Sequence, residues 1–511
     1  MIRNIGEKVT IGVDVGSGSV KVLATDSKHR QVSFGEVPYE IDRPGPSLAA
    51  VKADVWYETV VSAIRTCLRE GNLDADRVEG VAVCGPAHNA ALLDALGSPV
   101  RPVIHWSDTR AALQARTLQR EMGERVLELT LHPPMAGWTL SQFMWVQEND
   151  PESWGQATTW AVTKDYVAFK LTGELGTDPY DAAGTQMYDV KAGLWSPELL
   201  DRLGWSPIRN SPRVRESTEP LGRITARASA LTGLRQGTPV AVGTGDTMCE
   251  ALASGAWSSG DTLIKLGTSG NVLAVAERPT TERGILNYPY LDRDEWITVM
   301  ATTSGAASAR WFREVFLSER RSRESWQGGD GYQLMDEMAG TVSPGAEGLI
   351  FHPYLSGERS PLYDPDLRAD FLGVSAAHSL PHFARAVFEG VAMSLRHCVD
   401  GLGEVINTDT DWSIIGGGSR SPVWVSILAD VLGRPLRLGP PSAAAFGAAL
   451  LAKAMLSGED PRPPEQEERR AITPDPTNVA CYRDLMAIYL ESAVLQRSIS
   501  HRLSRVARET S

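Results

Sequence analysis

Two acids at the ends of apolar strands are the residues best placed to do chemistry in this chain. The first lies in Thr10-Ile-Gly-Val-Asp14-Val-Gly16-Ser17-Gly18-Ser19-Val-Lys21, an apolar strand, a small-residue turn and a second strand. Small residues let backbone N–H groups approach phosphate oxygens closely, and hydroxyls add donors. A carboxylate at the end of a buried strand needs a partner, and a divalent ion, bound directly or through its waters, is one. The turn returns half a chain later as Leu263-Ile-Lys265-Leu-Gly267-Thr268-Ser269-Gly270, with Lys265 in the place of Asp14. That asymmetry points the first hairpin toward a cation and the second toward phosphate, although either stretch alone also suits an ordinary hairpin. The second acid is Asp246, in Gly243-Thr-Gly245-Asp246-Thr247. An aspartate there can cap a helix. It can equally accept the proton of a hydroxyl that attacks phosphorus.

Three further segments add binding chemistry. Gly416-Gly417-Gly418-Ser419-Arg420-Ser421-Pro422 reads as a strand end, a triple glycine and a helix start with Ser421 as cap and Pro422 in the first turn. Three glycines cost backbone entropy, which favours a flat ligand or a phosphate lying against them. Gly85-Pro-Ala87-His88-Asn89 closes another strand, and Trp106-Ser-Asp108 follows it. An indole face with a carboxylate recognises polyols, the ring covering C–H bonds and the acid taking hydroxyl protons.

The elements that must hold these residues alternate in type. Strands are expected at 78–84, 92–94, 102–106, 239–246 and 412–415, beside hairpins up to about Val32 and at 261–276. Helices are expected at 55–71, 110–130, 139–148, 250–255, 384–402, 422–432, 443–455 and 480–508. Residues 181–190 with Trp195 read as an excursion packed on the first domain, Ser318–Asp330 as surface, and 458–475 as an acidic, proline-rich linker. Such alternation indicates α/β construction. With 511 residues, two domains of roughly 250 residues each are expected. We place them at 1–254 and 255–460, followed by a linker and C-terminal helix at 461–511.

A formal charge of −13 disfavours nucleic acid and anionic membranes as partners. No stretch of ~18 apolar residues is present to span a membrane, and no signal peptide is evident, so a cytoplasmic location is expected. The five cysteines form no close pair and read as reduced, buried thiols. No zinc spacing, Walker-type loop or dinucleotide-type glycine motif occurs.

In combination, the motifs resemble the FGGY carbohydrate kinases of the actin-like/hexokinase superfamily, most of all their xylulokinase branch. The resemblance runs from about Thr10 to Met455. It is carried by Gly85-Pro-Ala-His88, Arg101-Pro-Val-Ile-His-Trp-Ser-Asp-Thr-Arg110, Thr163-Lys-Asp-Tyr-Val-Ala-Phe-Lys-Leu-Thr-Gly173, Asp181-Ala-Ala-Gly-Thr185, Phe351-His-Pro-Tyr-Leu-Ser-Gly-Glu-Arg-Ser-Pro361 and Gly416–Pro422. It implies two RNase-H-like domains with ATP and a sugar in the cleft between them, and a homodimer as a common assembly. Asp246 would be the catalytic base, and Asp14 would position Mg2+. Ser17, Gly18 and Lys21 would lie near the transferred phosphate. Gly267 and Thr268 would meet the ATP phosphates, and Gly417 and Gly418 the adenosine. Ala87, His88, Trp106 and Asp108 would line the sugar site with Asp246. The expected reaction is phosphorylation of D-xylulose to D-xylulose 5-phosphate. The chain departs from the family pattern at Pro86-Ala87, Asn89, Ser107 and Pro441-Ser442. Ribulose, an erythritol-like polyol or a sugar acid therefore stay open as substrates. A non-catalytic actin-like nucleotide switch is the alternative of another class.

Overall fold

The computed structural model describes residues 7–509 except 46, 207–209, 283, 292–293, 319–330, 407–409, 411 and 464–470. The expected surface stretch Ser318–Asp330 therefore lies, beyond Ser318, outside the described residues, as does part of the expected linker.

Two mixed sheets organise the chain. The first contains β1 (Val9–Val15), β2 (Ser19–Asp26), β3 (Gln31–Pro38), β4 (Val78–Gly85), β5 (Pro220–Arg223), β6 (Pro239–Ala241) and β7 (Thr244–Gly245), in the order β5-β6-β4-β1-β2-β3 with β7 on β4. The second contains β8 (Thr262–Leu266), β9 (Gly270–Ala276), β10 (Leu286–Pro289), β11 (Trp296–Thr302), β12 (Trp412–Ile415), β13 (Leu436–Leu438) and β14 (Ala471–Ile472), in the order β10-β11-β9-β8-β12-β13-β14. Both sheets share one plan. Three antiparallel strands form a meander (β3-β2-β1 and β11-β9-β8), and two parallel strands extend it (β4-β6 and β12-β13). The repeated turn is thus the first hairpin of two copies of one domain type.

One face of the first sheet is covered by α1 (Ala53–Glu70) and α2 (Thr163–Thr172). Buried Trp56, Val60, Ala63, Ile64 and Cys67 of α1 follow helical spacing. Between the two sheets lie α3 (Asp246–Ser254) and, from much later in the chain, α7 (Ala443–Ser457). The second sheet's outer core is built on α4 (Ala306–Phe316), α5 (Leu380–Leu402) and α6 (Pro422–Leu432). Although α7 belongs to the later half of the sequence, it packs on β1. Thr10 Oγ1 donates to Ala449 O at 3.3 Å, and the Cys84 thiol to Ala444 O at 3.5 Å.

The C-terminal segment is more integrated than a linker and helix. Ala471–Ile472 adds an edge strand to β13, and Arg462 lies 4.5 Å over the Trp257 ring. The final helix α8 (Pro476–Glu509) is pinned to the second domain. Tyr482 donates to Glu389 at 2.7 Å, and Arg497 bonds Asp364 at 2.7 Å. The strand expected over 239–246 is broken at Gly243 (φ 75°), where a Cβ would sit 2.1 Å from Val83 O. That break turns the chain into β7 and delivers Asp246 to the first turn of α3.

Small residues are what let the central helices approach. A Cβ on Gly447 would lie 2.0 Å from Cys249 O, and one on Gly12 1.9 Å from Ala445 O. Gly447→Ala is expected to destabilise the protein by about 2 kcal/mol or more, because backbone cannot retreat like a side chain. Gly155→Ala, with open space around it, is expected to be neutral or slightly stabilising. Thermal unfolding of both variants checks this; equal midpoints would contradict the packing argument.

Candidate active site

The first turn, 16–18, is fixed by one side chain. Tyr39 donates through its hydroxyl to Gly16 O at 2.5 Å, and its backbone N–H reaches Gly18 O at 3.1 Å. With these carbonyls tied back, Ser17 and Gly18 remain exposed at the tip. Asp14, on β1 opposite Lys21 of β2, is buried at 7 % exposure. Burial pushes its carboxyl up to about 7; Lys21 and Lys265 oppose this, while Asp246 and Glu250 add to it. Asp14 Oδ1 accepts from the Cys84 thiol across 4.0 Å. The described residues gather no group of three or more metal-ligating side chains. A carboxylate whose side-chain partner among the described residues is a single weak thiol donor suits Mg2+, which keeps most of its waters and takes phosphate oxygens as ligands.

Asp246 begins α3, with Gly245 as the capping residue, so it is the first helical residue rather than the cap. Its Oδ1 accepts from Thr247 N at 2.7 Å and from the Thr247 hydroxyl at 3.3 Å. The helix N-terminus favours its charge. Glu250, one turn further along the same helix face, accepts from Lys265 Nζ at 2.7 Å. This pair joins α3 to β8 of the second domain. Lys265 reads from the sequence only as the counterpart of Asp14 on the phosphate-facing hairpin, and Glu250 is not expected at the site.

The second turn, 267–269, shows the same device as the first. The carbonyls of Gly267 and Thr268 are held by the start of α4: Ala306 N reaches Gly267 O at 2.7 Å, and Gly305 N and Ala307 N reach Thr268 O at 3.1 and 3.0 Å. Arg310 donates to the Thr268 hydroxyl at 3.2 Å. The triple glycine lies against this turn, and packing accounts for two of its members. A Cβ on Gly416 would lie 2.6 Å from Leu266 O, and one on Gly418 2.5 Å from Leu266 Cγ. Only Gly417 faces open space. The entropy argument for a ligand against all three is therefore corrected to Gly417 alone. Ser421 does cap α6, accepting from Trp424 N at 3.0 Å.

On the other side of Asp246 is a cluster of aromatic rings around His88. His88 Nδ1 is 2.7 Å from Gly184 O. A carbonyl only accepts, so Nδ1 carries the proton and Nε2 is an acceptor. Nε2 lies 3.5 Å from the Tyr288 hydroxyl, and Trp138 stands edge-on 4.0 Å from the ring. Tyr288, from the second domain, stacks on Tyr180 at 4.4 Å. A Cβ on Gly245 would lie 2.2 Å from the Tyr180 ring, which explains the glycine before Asp246. The charge of Asp246 is felt at His88, Tyr180 and Tyr288 on this side and at Asp14, Glu250 and Lys265 on the other.

The remaining expected residues take distinct places. Trp106 donates through Nε1 to Ser17 Oγ at 3.2 Å, joining the pocket to the first turn, and its backbone N–H is held by Asn89 at 2.7 Å. Ala87 is buried against Gly184. Asp108 is 1 % exposed, and both oxygens are engaged: Oδ1 by the backbone N–H and Nε of Arg110, Oδ2 by Arg110 Nη2 and Ala49 N, at 2.6–2.9 Å. Its geometry is that of a group holding the pocket wall, with no oxygen free for a polyol. Sequence spacing gives no signal for Tyr180, Tyr288 or Glu250, which reach the cleft only through the fold.

Two domains of one plan bring together two turns, two acids and a cluster of aromatic side chains. The N-terminal domain model of the FGGY family of carbohydrate kinases matches residues 9–253, and the C-terminal domain model matches 262–456. The chain belongs to this family and is an ATP-dependent sugar kinase. It is 30% identical over 510 residues to a xylulose kinase of Lactococcus lactis subsp. lactis (strain IL1403), covering 96% of this chain and 98% of that one. It is 28% identical over 433 residues to a gluconokinase of Bacillus subtilis (strain 168), covering 82% of each. A solved xylulose kinase from Rhodospirillum rubrum superposes with a TM-score of 0.85 at 26% identity, covering 97% of this chain and all of that one, 100%.

Burial pushes the His88 imidazole down to about 4. The neutral ring therefore prevails at any pH well above 4, and His88 should show no titration in nitrogen-15 NMR between about pH 5 and 8. A midpoint inside that range would contradict the neutral-acceptor assignment.

Proposed function

We propose that this kinase phosphorylates D-xylulose on a hydroxyl, giving D-xylulose 5-phosphate, with Asp246 as the general base. The observation that carries the proposal is the position of Asp246 at the start of α3: Gly245 before it packs on Tyr180, which stacks on Tyr288 beside His88, and Glu250 one turn after it bonds Lys265. A sugar hydroxyl bound in the pocket would lie between the base and the phosphate turns.

His88 Nε2 accepts one sugar hydroxyl, and the Trp106 indole covers C–H bonds of the same molecule. Ser17, Gly18 and Lys21 face the transferred group, Gly267 and Thr268 the remaining phosphates, and Gly417 the adenosine. As the hydroxyl oxygen bonds to the γ-phosphorus, the bond to the β-phosphate oxygen breaks, and Asp246 takes the hydroxyl proton late in the step. Asp14 would hold Mg2+, which supplies charge neutralisation at the phosphates. Backbone N–H groups of the two turns stabilise the charge that develops on the phosphoryl oxygens. A cytoplasmic location is in keeping with such a reaction, and among the described residues no helix is long and apolar enough to cross a membrane.

A sugar acid such as gluconate is the second substrate reading. Two observations favour it: the gluconokinase relative, and the charge of Arg359 acting on His88 and Tyr288 at the pocket. A guanidinium there suits a carboxylate.

An ADP-release assay across D-xylulose, D-ribulose, erythritol and gluconate tests the substrate. The highest kcat/KM is expected for D-xylulose, with phosphate on O5; stimulation by gluconate alone would overturn that choice, and stimulation by none would favour a nucleotide switch. Asp246→Asn should lower kcat by roughly 100- to 10,000-fold while ATP still binds. Near-normal turnover would remove Asp246 as base. Asp14→Ala should lower turnover and raise the magnesium concentration needed for half-maximal rate; an unchanged requirement would count against its role.

A further inference from the structure

The two hairpins differ at one chemically decisive position. Asp14 and Lys265 are each the next-to-last residue of the first strand of their hairpin, opposite Lys21 and Asn271 respectively. Where the first domain presents an anion to the cleft, the second presents a cation. The Lys265 side chain is 27% exposed and that of its partner Glu250 12%, so the lysine is the more open half of the pair. Burial works against that ammonium's charge, but Glu250 first, then Asp246 and Asp14, hold it protonated well above the ordinary lysine range.

Its surroundings point to phosphate. The space above Gly267 Cα is 3.7 Å from Lys265 Cγ and Cε, so the side chain runs beside the second turn. The carbonyls of Gly267 and Thr268 are drawn onto the start of α4, away from an anion, while Ser269 O stays 3.4 Å from the same space, so the ammonium is the compensating charge there. Three carboxylates (Asp14, Asp246, Glu250) and two lysines (Lys21, Lys265) share this part of the cleft. Lys21 leans toward Glu36, 3.9 Å away. A polyphosphate entering from the second domain would meet uncompensated negative charge without Lys265. An ammonium has three donors. One is held by Glu250 at 2.7 Å, which leaves two to give.

We propose that Lys265, aimed by Glu250, binds the terminal phosphates of ATP and so ties the nucleotide to the helix that carries Asp246. The inference rests on the functional reading above, in which the 267–269 turn faces the ATP phosphates. Glu250 is a positioning residue: it fixes the ammonium between the turn and α3. Binding ATP would thus engage both domains through one side chain.

The test compares wild type with Lys265→Met, Lys265→Arg, Glu250→Gln and the charge-swapped pair Glu250→Lys/Lys265→Glu. ATP and AMP binding are measured by calorimetry, and KM for ATP and for the best sugar by ADP release. Wild type that neither binds ATP nor turns over any sugar would sink the functional reading itself. With an active wild type, Lys265→Met should raise KM for ATP at least tenfold. AMP affinity and sugar KM should stay within about threefold, and Lys265→Arg should recover most of the loss. Glu250→Gln should act in the same direction, less strongly. A purely structural ion pair would be restored by the charge swap; recovery of ATP affinity there would overturn the proposal. So would a Lys265→Met enzyme with ATP KM within twofold of wild type. If Lys265→Met does not fold, the swap and Lys265→Arg are decisive: ATP binding lost in the first and kept in the second supports phosphate contact, and any other pattern refutes it.

Discussion

At Gly447 an added methyl group would stand 2.0 Å from a backbone carbonyl of the neighbouring central helix, and at Gly12 1.9 Å from a carbonyl of α7. This close backbone approach is the constraint on which the rest of the molecule depends. It lets one layer, made of α3 and α7, serve both sheets. A thicker layer would move β1 and β8 apart, and with them the two turns. The alanines of α7 are therefore a packing requirement, since only small side chains permit backbone contact at this distance. That helix also returns from the second half of the chain to the first sheet, so the domains are joined by exchanged structure as well as by a connecting segment.

The second constraint is electrostatic. Burying carboxylates near one another is costly unless cations or hydrogen bonds compensate. Asp14 shows the strain: burial, with Asp246 and Glu250 nearby, holds its carboxyl up to about 7 despite Lys21 and Lys265. A site whose charges are incompletely balanced is prepared to take up a cation and a polyanion together, as a kinase must. The tied-back carbonyls of both turns belong to the same logic. Tyr39 in the first domain and the N-terminus of α4 in the second remove acceptors from the place where phosphate oxygens would lie.

Much of the fold was legible because it is local. The strands β12 and β8–β9, the helices α1, α5 and α6, and the Ser421–Pro422 helix start all follow from short-range pattern and capping chemistry. Within the candidate site, the acids and the turns were visible for the same reason: each is a short motif with its own turn geometry. Other details were hidden. The break at Gly243 depends on Val83, far away in sequence. The engagement of Asp108 by Arg110 and Ala49 cannot be read from Trp-Ser-Asp, because spacing does not reveal which donors a carboxylate will meet. Two glycines of 416–418 answer to Leu266 rather than to a ligand.

By itself the sequence determined the α/β alternation, the duplicated turn and the identity of the two acids, since these are set by neighbours within a few residues. Only the tertiary structure decided what stands around those acids. Tyr288 meets His88 across 200 residues of chain, and Lys265 meets Glu250 across a domain boundary. Neither contact leaves a trace in local pattern, because each is fixed by how two sheets settle on one shared pair of helices.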